Sequence, residues 1–326
     1  MPQISVIIPT YNREKFVVKA IDSVLRQGVA DLEIIVIDDG STDGTRKALE
    51  AYGPNARCMF QENSGVSSAR NAGIGVAQGV WVAFLDSDDE WTKDYLACQI
   101  AQIKAYPEAV AHITNAVTVL PSGGRSSRFV ETGLMDRFRT KPCLVFERPL
   151  SVIVKHAPWF LQSSIIRRDV LLKAGLFDEG LSIAEDLDVI ARVSLGGPVT
   201  FCRKELVEIY RREESIINLG TQSLKRGIYR WKAFEKVYAN LLSSPDLTRM
   251  EKATIANALS STKRALGNVL VMADRKDEAR QVYKQALSLD HSLRSLIKVV
   301  GTYLPSAVSR ALVRKDRQLL SEEDTR

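Results

Sequence analysis

The chain has 326 residues, 45% of them apolar and 26% charged, with a formal net charge of +6, a globular composition that excludes wholesale disorder and leaves room for one large domain and an appendage. Its four cysteines, Cys58, Cys98, Cys143 and Cys202, form no CxxC, which speaks against a zinc site or a disulfide framework and for a reducing, cytoplasmic setting. MPQISVIIPTYNRE has no export signal and no window holds about 18 uninterrupted apolar residues, while the positive excess gathers near the C-terminal end, where it suits a local partner and not nucleic acid.

Residues Ile4–Pro9 form a β-branched run bounded by Pro9-Thr10-Tyr11-Asn12, after which Val17, Val18, Ile21, Val24 and Leu25 recur at helical spacing. Leu32–Ile37 is a second apolar run, ending in Asp38-Asp39-Gly40-Ser41 and followed by helix formers over Thr45–Tyr52. A helix is predicted over Ser67–Val76, and Val80–Leu85 is a third run, ending in Asp86. Apolar strands alternating with helices predict a parallel sheet covered on both faces. Ligands bind such sheets beyond the carboxyl ends of the strands, where Tyr11, Asp38-Asp39 and Asp86–Asp89 all fall. Ala109–Leu120 reads as another strand, Pro121–Gly124 as a turn and Arg125–Pro142 as a mobile loop. Strand-like runs cease after Lys225, so the boundary is expected near residues 218–225, with an N-terminal domain over 1–220 and a helical region over 221–326.

Asp86-Ser87-Asp88-Asp89 admits two readings. On an extended segment Asp86 and Asp88 point the same way, so one can meet a ribose while the other ligates a divalent cation that bridges to a diphosphate and stabilises its departure. Alternatively Ser87 caps a following helix, because Ser87-Asp88-Asp89-Glu90 matches a capping box. Its place at the end of a buried strand, in step with two other polar strand ends, favours the metal. Asp38–Thr45 also reads as a glycine-rich turn into a capped helix, yet a carboxylate there can accept the N3 proton of uracil while Tyr11 offers an aromatic face to the base. Arg70 supplies a cation near base or phosphate, or stands as a surface arginine. In Ile183–Val189 acids precede an amphipathic helix. Single displacement at an anomeric carbon needs one carboxylate to take the acceptor proton, and Asp186 is the candidate; the plain alternative for Glu185-Asp186 is an acid pair at a helix start.

In order and spacing, SVIIPTYNRE, IIVIDDGSTDGT, NSGVSSARNAG, WVAFLDSDDEW and GLFDEGLSIAEDLDVIARVS closely resemble the family 2 glycosyltransferases of the GT-A fold, over residues 3–216. The resemblance implies an α/β fold, a Rossmann-like sheet sandwiched by helices, with the C-terminal helices as an appendage. It implies inverting, Mg2+- or Mn2+-dependent transfer of one sugar from a nucleotide-diphosphate donor, UDP being expected. The acceptor would be a hydroxyl on a glycan or lipid-linked glycan, in bacterial cell-surface polysaccharide or glycoconjugate synthesis. The implied donor site comprises Pro9, Thr10, Tyr11, Asp38, Asp39, Arg70, Asp86 and Ser87. Within it Thr10, Tyr11 and Asp39 meet the nucleoside, with Arg70 beside it and Asp86 nearer the ribose; Asp88 is the metal ligand and Asp186 the general base. Family members often carry a histidine soon after a Tyr-Arg at the end of this domain. Here Glu213 stands in that place, a carboxylate that can still ligate a hard cation. His112, His156 and His291 lie elsewhere and are expected to be structural. Processive members carry Q-x-x-R-W, of which only Arg230-Trp231 is kept, so addition of a single sugar is expected.

Toward the C-terminal end, Leu266-Gly267, Ala279, Tyr283 and Ala286 fall at tetratricopeptide spacing, which one helical hairpin explains as well. Leu293, Leu296, Ile297, Val300 and Leu304 then line one helix face with Arg294 and Lys298 off it, followed by Val308, Ala311 and Leu312 among Arg310, Arg314, Lys315 and Arg317. Contact with an anionic membrane at its inner face and packing onto the protein both fit these segments. Two rival functions are a catalytically silent nucleotide-sugar-binding scaffold that recruits partners through its helical tail, and a nucleotidyltransferase. The first has no use for Asp186, and the second would want a glycine-rich basic loop where Pro9–Glu14 stands.

Overall fold

The computed structural model describes residues 3–212 and 224–313, and the chain divides into two compact units, residues 1–216 and 217–326. The N-terminal unit begins with β1 (Ile4–Thr10), α1 (Val17–Leu25), β2 (Leu32–Asp38), α2 (Thr45–Glu50), β3 (Arg57–Phe60), α3 (Val66–Val76) and β4 (Trp81–Phe84). β1 lies between β2 and β4, and β3 flanks β2, all parallel. Every residue of β1 is buried, as a strand covered on both faces requires. Alternating side chains send Ile7 into one core with Ala69 and Ile74 of α3, and Ile4, Val6 and Ile8 into a second with Val17, Ile21 and Val24 of α1.

The unit continues with β5 (Glu90–Trp91), α4 (Tyr95–Ala105), β6 (Ala111–Val119), β7 (Arg125–Ser127), α5 (Arg128–Glu131), α6 (Met135–Phe138), β8 (Cys143–Phe146), α7 (Leu150–His156), β9 (Ser164–Arg167), α8 (Arg168–Ala174), α9 (Glu185–Val193) and β10 (Val199–Tyr210). The main sheet runs β3-β2-β1-β4-β9-β6-β10-β5. It is mixed, unlike the parallel sheet expected, because β9 pairs antiparallel with both β4 and β6. Four residues offer too short a pattern to distinguish such a strand from a loop. Nor is the span 125–142 a loop. Phe129 and Phe138 are fully buried and stack 5.7 Å apart, and Phe129 meets Phe201 of β10 edge-on at 5.9 Å, so the short helices α5 and α6 are anchored by their aromatic rings. His112 is likewise part of the interior. Its Nδ1 lies 2.7 Å from Thr200 Oγ1, its ring 5.0 Å from that of Trp81, and burial pulls its pKa down to about 4, leaving it neutral at physiological pH.

The C-terminal unit is helical: α10 (Leu224–Leu242), α11 (Arg249–Met272), α12 (Lys276–Asp290) and α13 (Leu293–Gly301), with further helix over 306–313. A capping box opens α11, in which Glu251 N donates to Thr248 Oγ1 at 3.2 Å and Thr248 N to Glu251 Oε2 at 2.8 Å. Leu266, Leu270, Ala279 and Tyr283 share one core, and the Tyr283 ring lies directly on Gly267, where an added Cβ would sit 2.4 Å from ring carbon Cε1. Tyr283 is 1% exposed and its hydroxyl donates to Asn268 Oδ1 at 2.8 Å, so the ring has no room to retreat. Gly267→Ala should therefore destabilise this unit by about 1–3 kcal/mol, outweighing the roughly 1 kcal/mol gain in helix propensity. Urea denaturation followed at the helical ellipticity measures it, and an unchanged or raised midpoint would refute the packing argument.

Candidate active site

Strand register brings three polar strand ends to one edge. Thr10 pairs with Asp38 and Ile7 with Phe84, so the chain leaves β1, β2 and β4 side by side. The loop after β1 is then tied to the loop after β2. Asn12, at φ 51°, donates its N–H to Ser41 Oγ at 2.9 Å, its Oδ1 accepts from Thr42 N at 2.8 Å, and Arg13 N donates to Thr45 Oγ1 at 2.9 Å. The turn-forming reading of Asp38–Thr45 thus describes what these side chains do locally.

A cavity of about 480 Å³ opens at this edge. Pro9, Thr10, Tyr11, Asp39, Arg70, Asp86, Ser87 and Asp88 all line it, joined by Arg13, Asn63, Gly65, Val66, Ala69 and Glu185. Asp38 does not line it, because its Oδ1 turns inward to accept from Ser41 N at 3.0 Å. Asp186 is likewise absent from the wall, where its neighbour Glu185 stands. Asp39 is 4% exposed, and its carboxylate accepts from Gln61 Nε2, Ser64 N and Gly65 N at 2.7–2.9 Å, shaping the loop that enters α3.

Arg70 is no surface arginine: it is 3% exposed, on α3. One Nη donates to Asp86 Oδ1 at 2.9 Å and the other to Glu185 Oε1 at 3.2 Å, with the guanidinium 5.3 Å from the centre of the Phe177 ring. Burial opposes its charge, and the two carboxylates outweigh that cost and raise its pKa. Two buried polar atoms on the cavity residues, Thr10 Oγ1 and Arg70 Nε, have no protein partner, so the wall keeps unspent hydrogen-bonding capacity.

Asp86–Asp89 is a turn, closed by Asp89 N donating to Asp86 O at 3.0 Å, and β5 follows it. Hence Ser87 caps no helix, and the carboxylates are separated by a turn rather than by the alternation of an extended strand. Asp86 is held on both oxygens, by Arg70 on Oδ1 and by Gln162 Nε2 on Oδ2. Asp89 is 4% exposed and accepts from Tyr210 N at 3.0 Å, tying the end of β10 to the turn; burial and the charges of Asp86 and Asp88 push its pKa well up. Asp88 faces the cavity half-sheltered. Arg13 Nε lies 3.8 Å from its Oδ2, and Arg212 donates to its backbone oxygen at 3.0 Å while stacking 4.2 Å over Phe16. Burial and Asp86 raise its pKa against the pull of Arg13 and Arg212.

Negative charge crowded in this way suits a cation. Among the described residues no three His, Cys, Asp or Glu side chains gather into a metal cage, and Glu213 lies outside the described residues. A hard divalent ion would find a cavity-facing carboxylate here to hold it, that of Asp88. On α9, Glu185 is engaged by Arg70, and burial and Asp186 raise its pKa. Asp186 Oδ1 accepts from Leu187 N at 2.7 Å. Sequence reasoning missed Arg13, Gln162 and Arg212. The first and last adjoin recognised motifs, but nothing local marks Gln162, which a short 3-10 turn (Leu161–Ser163) delivers.

A sequence profile described as glycosyl transferase family 2 matches residues 5–163. The chain carries a family 2 glycosyltransferase domain. The glycosyltransferase EpsJ of Bacillus subtilis, itself uncharacterized, is 33% identical over 198 residues, 57% of this chain and 54% of the relative. The putative teichuronic acid biosynthesis glycosyltransferase TuaG of the same organism is 45% identical over 103 residues, 30% of this chain and 41% of the relative. The chain thus spans about half the length, or less, of these two relatives. The crystal structure of S. aureus TarS 1–349 in complex with UDP-GlcNAc superposes with a TM-score of 0.67 at 20% identity, covering 97% of this chain and 92% of that one, a likeness that speaks for the fold alone.

Replacing Arg70 by Ala would leave Asp86 and Glu185 facing each other without their shared cation. The domain should lose about 3 kcal/mol, read as a lower urea midpoint. A variant as stable as the parent would show that the ion pairs carry no weight.

Proposed function

We propose that this domain transfers a single sugar, with inversion, from a UDP-sugar to a hydroxyl acceptor in the synthesis of a bacterial cell-surface polysaccharide or glycoconjugate. The observation that carries the reading is the convergence of Tyr11, Asp39, Arg70, Asp86 and Asp88 on one cavity at the carboxyl edge of the parallel strands. In this reading Tyr11, 46% exposed, stacks on the base, and Asp39 and the unpartnered Thr10 hydroxyl meet its polar edge. Asp86, held by Arg70 and Gln162, receives the ribose. Asp88 would hold Mg2+ or Mn2+, whose chemistry is to neutralise the charge that develops on the departing diphosphate.

The transfer is a single displacement. The acceptor oxygen bonds to the anomeric carbon as the bond from that carbon to the diphosphate oxygen breaks, and the acceptor proton passes to a carboxylate. Glu185 is ion-paired with Arg70, so Asp186 is assigned as the general base. The teichuronic acid role attached to TuaG supports a polysaccharide context.

Asp88→Ala should abolish metal-stimulated donor hydrolysis and transfer. Asp186→Asn should bind donor as the parent does yet lose at least about 100-fold in transfer rate. Undiminished transfer by Asp186→Asn would remove that residue from the mechanism. If the parent chain binds nucleotide sugars across a panel but transfers none, the silent-scaffold reading replaces this one.

We further propose that the C-terminal unit rests on an anionic membrane surface, where a lipid-linked acceptor would be found. α13 leaves Leu293, Leu296, Ile297 and Val300 exposed by 44–71%, with Arg294 and Arg310 alongside, and an apolar-walled cavity of about 450 Å³ opens beneath Leu293, Ile297 and Leu312. Apolar side chains interleaved with arginine suit an acyl interface beneath acidic headgroups. No helix among the described residues is long and apolar enough to cross a membrane, so the contact would be peripheral. The chain should co-sediment with vesicles containing phosphatidylglycerol and far less with purely zwitterionic ones, and Ile297→Glu should abolish sedimentation. Equal recovery in the supernatant from both kinds of vesicle would overturn it.

A further inference from the structure

Three of the four cysteines, separated by many residues in sequence, meet in the fold. Cys98 stands on α4, Cys143 on β8 and Cys202 on β10. Cys98 Sγ and Cys202 Sγ are 3.7 Å apart. Cys143 and Cys202 are directly opposed in the antiparallel pair of β8 and β10, and because Arg203 N donates to Pro142 O at 3.2 Å they form a non-hydrogen-bonded pair. Such pairs bring Cα atoms to about 4.5 Å, inside the window of about 4.4–6.8 Å that a disulfide spans. Cys202 is therefore within bonding reach of two thiols. Its own residue is buried, while Cys98 and Cys143 are partly exposed.

The surroundings favour a thiolate at the centre of this group. Cys143 and Cys98 both donate S–H toward Cys202, and Lys204 lies nearby; these effects outweigh burial and lower the Cys202 pKa, while those of Cys98 and Cys143 are raised. Cys58 stands apart, its pKa raised by burial and by Asp38. None of the three clustered thiols lines the candidate active site, so the cluster is not accounted for by sugar transfer.

We propose that Cys98, Cys143 and Cys202 form an oxidation site in which Cys202 is the reactive sulfur and a peroxide converts it, with one of its two neighbours, into a disulfide. The Cys202 thiolate attacks one peroxide oxygen, the O–O bond breaks and hydroxide leaves, giving a sulfenic acid. A neighbouring thiol attacks the sulfenic sulfur, the S–S bond forms and the hydroxyl departs with that thiol's proton as water. Hydroxide takes up the proton that Cys202 had released, so two thiols and one peroxide become one disulfide and two waters. The third thiol can then exchange with the new bond, so a Cys98–Cys202 and a Cys143–Cys202 linkage interconvert. Either one pins β10 to the adjoining element.

The test uses the full reduced chain and one equivalent of hydrogen peroxide. Titratable thiols under denaturing conditions should fall from the four of the sequence to two, the intact mass should drop by two hydrogens, and a non-reducing peptide map should join the Cys202 peptide to that of Cys98 or Cys143. Reductant should restore all of these, and the oxidised chain should unfold at a higher urea concentration than the reduced one. Cys58→Ser should leave the crosslink intact and Cys202→Ser should eliminate it. A crosslink that includes Cys58, sulfinic acid without any crosslink, or four thiols surviving in the parent chain would each overturn the proposal. Because every reading is made on the parent chain first, a poorly folding Cys202→Ser variant does not decide the outcome.

Discussion

One buried cation holds three elements of the N-terminal domain in place. Arg70 leaves α3, meets Asp86 beyond the end of β4 and Glu185 at the first turn of α9, and is almost completely withdrawn from water. A guanidinium can do this because its planar fork serves two carboxylates at once and keeps its charge despite desolvation. The acid pair that opens α9 and the acidic turn after β4 are therefore parts of one electrostatic unit. Their sequence separation exceeds 90 residues, yet the helix start that carries the candidate base and the turn that carries the candidate metal ligand are held by the same side chain.

Around that unit the acids take different tasks according to their surroundings. Asp86 is held by Arg70 and Gln162, Asp89 by the backbone N–H of Tyr210, and Asp39 by donors of the loop that enters α3. Asp88 faces the cavity, and burial and Asp86 raise its pKa against the pull of Arg13 and Arg212. Four acids close together thus differ in how many protein donors already hold them, which leaves Asp88 as the candidate ligand for a cation. Proximity in sequence did not divide those roles; the availability of N–H donors did.

Outside the site, packing decides features that carry no local sign. Gly267 is required because Tyr283 lies on it, and α5 and α6 exist because Phe129 and Phe138 have a buried place to go. Short elements of this kind gain most of their stability from tertiary contacts rather than from propensity. The thiol cluster belongs here too: strand pairing and the packing of α4 bring its members together.

What the amino-acid sequence determined by itself was the frame. Strands covered on both faces must be continuously apolar, so the sequence itself marks β1, β2 and β4, and it puts the polar residues that end them, Tyr11, Asp38-Asp39 and Asp86–Asp89, at one edge. Tertiary structure alone decided which of those residues face the cavity. Asp38 turned away because Ser41 N claimed it, and Glu185 rather than Asp186 took the wall beside Arg70. The antiparallel insertion of β9, the turn at Asp86–Asp89 and the arrival of Gln162 and Arg212 were equally illegible. Each depends on partners dozens of residues away, and a periodicity reads only the burial of a segment, never the identity of what it is buried against.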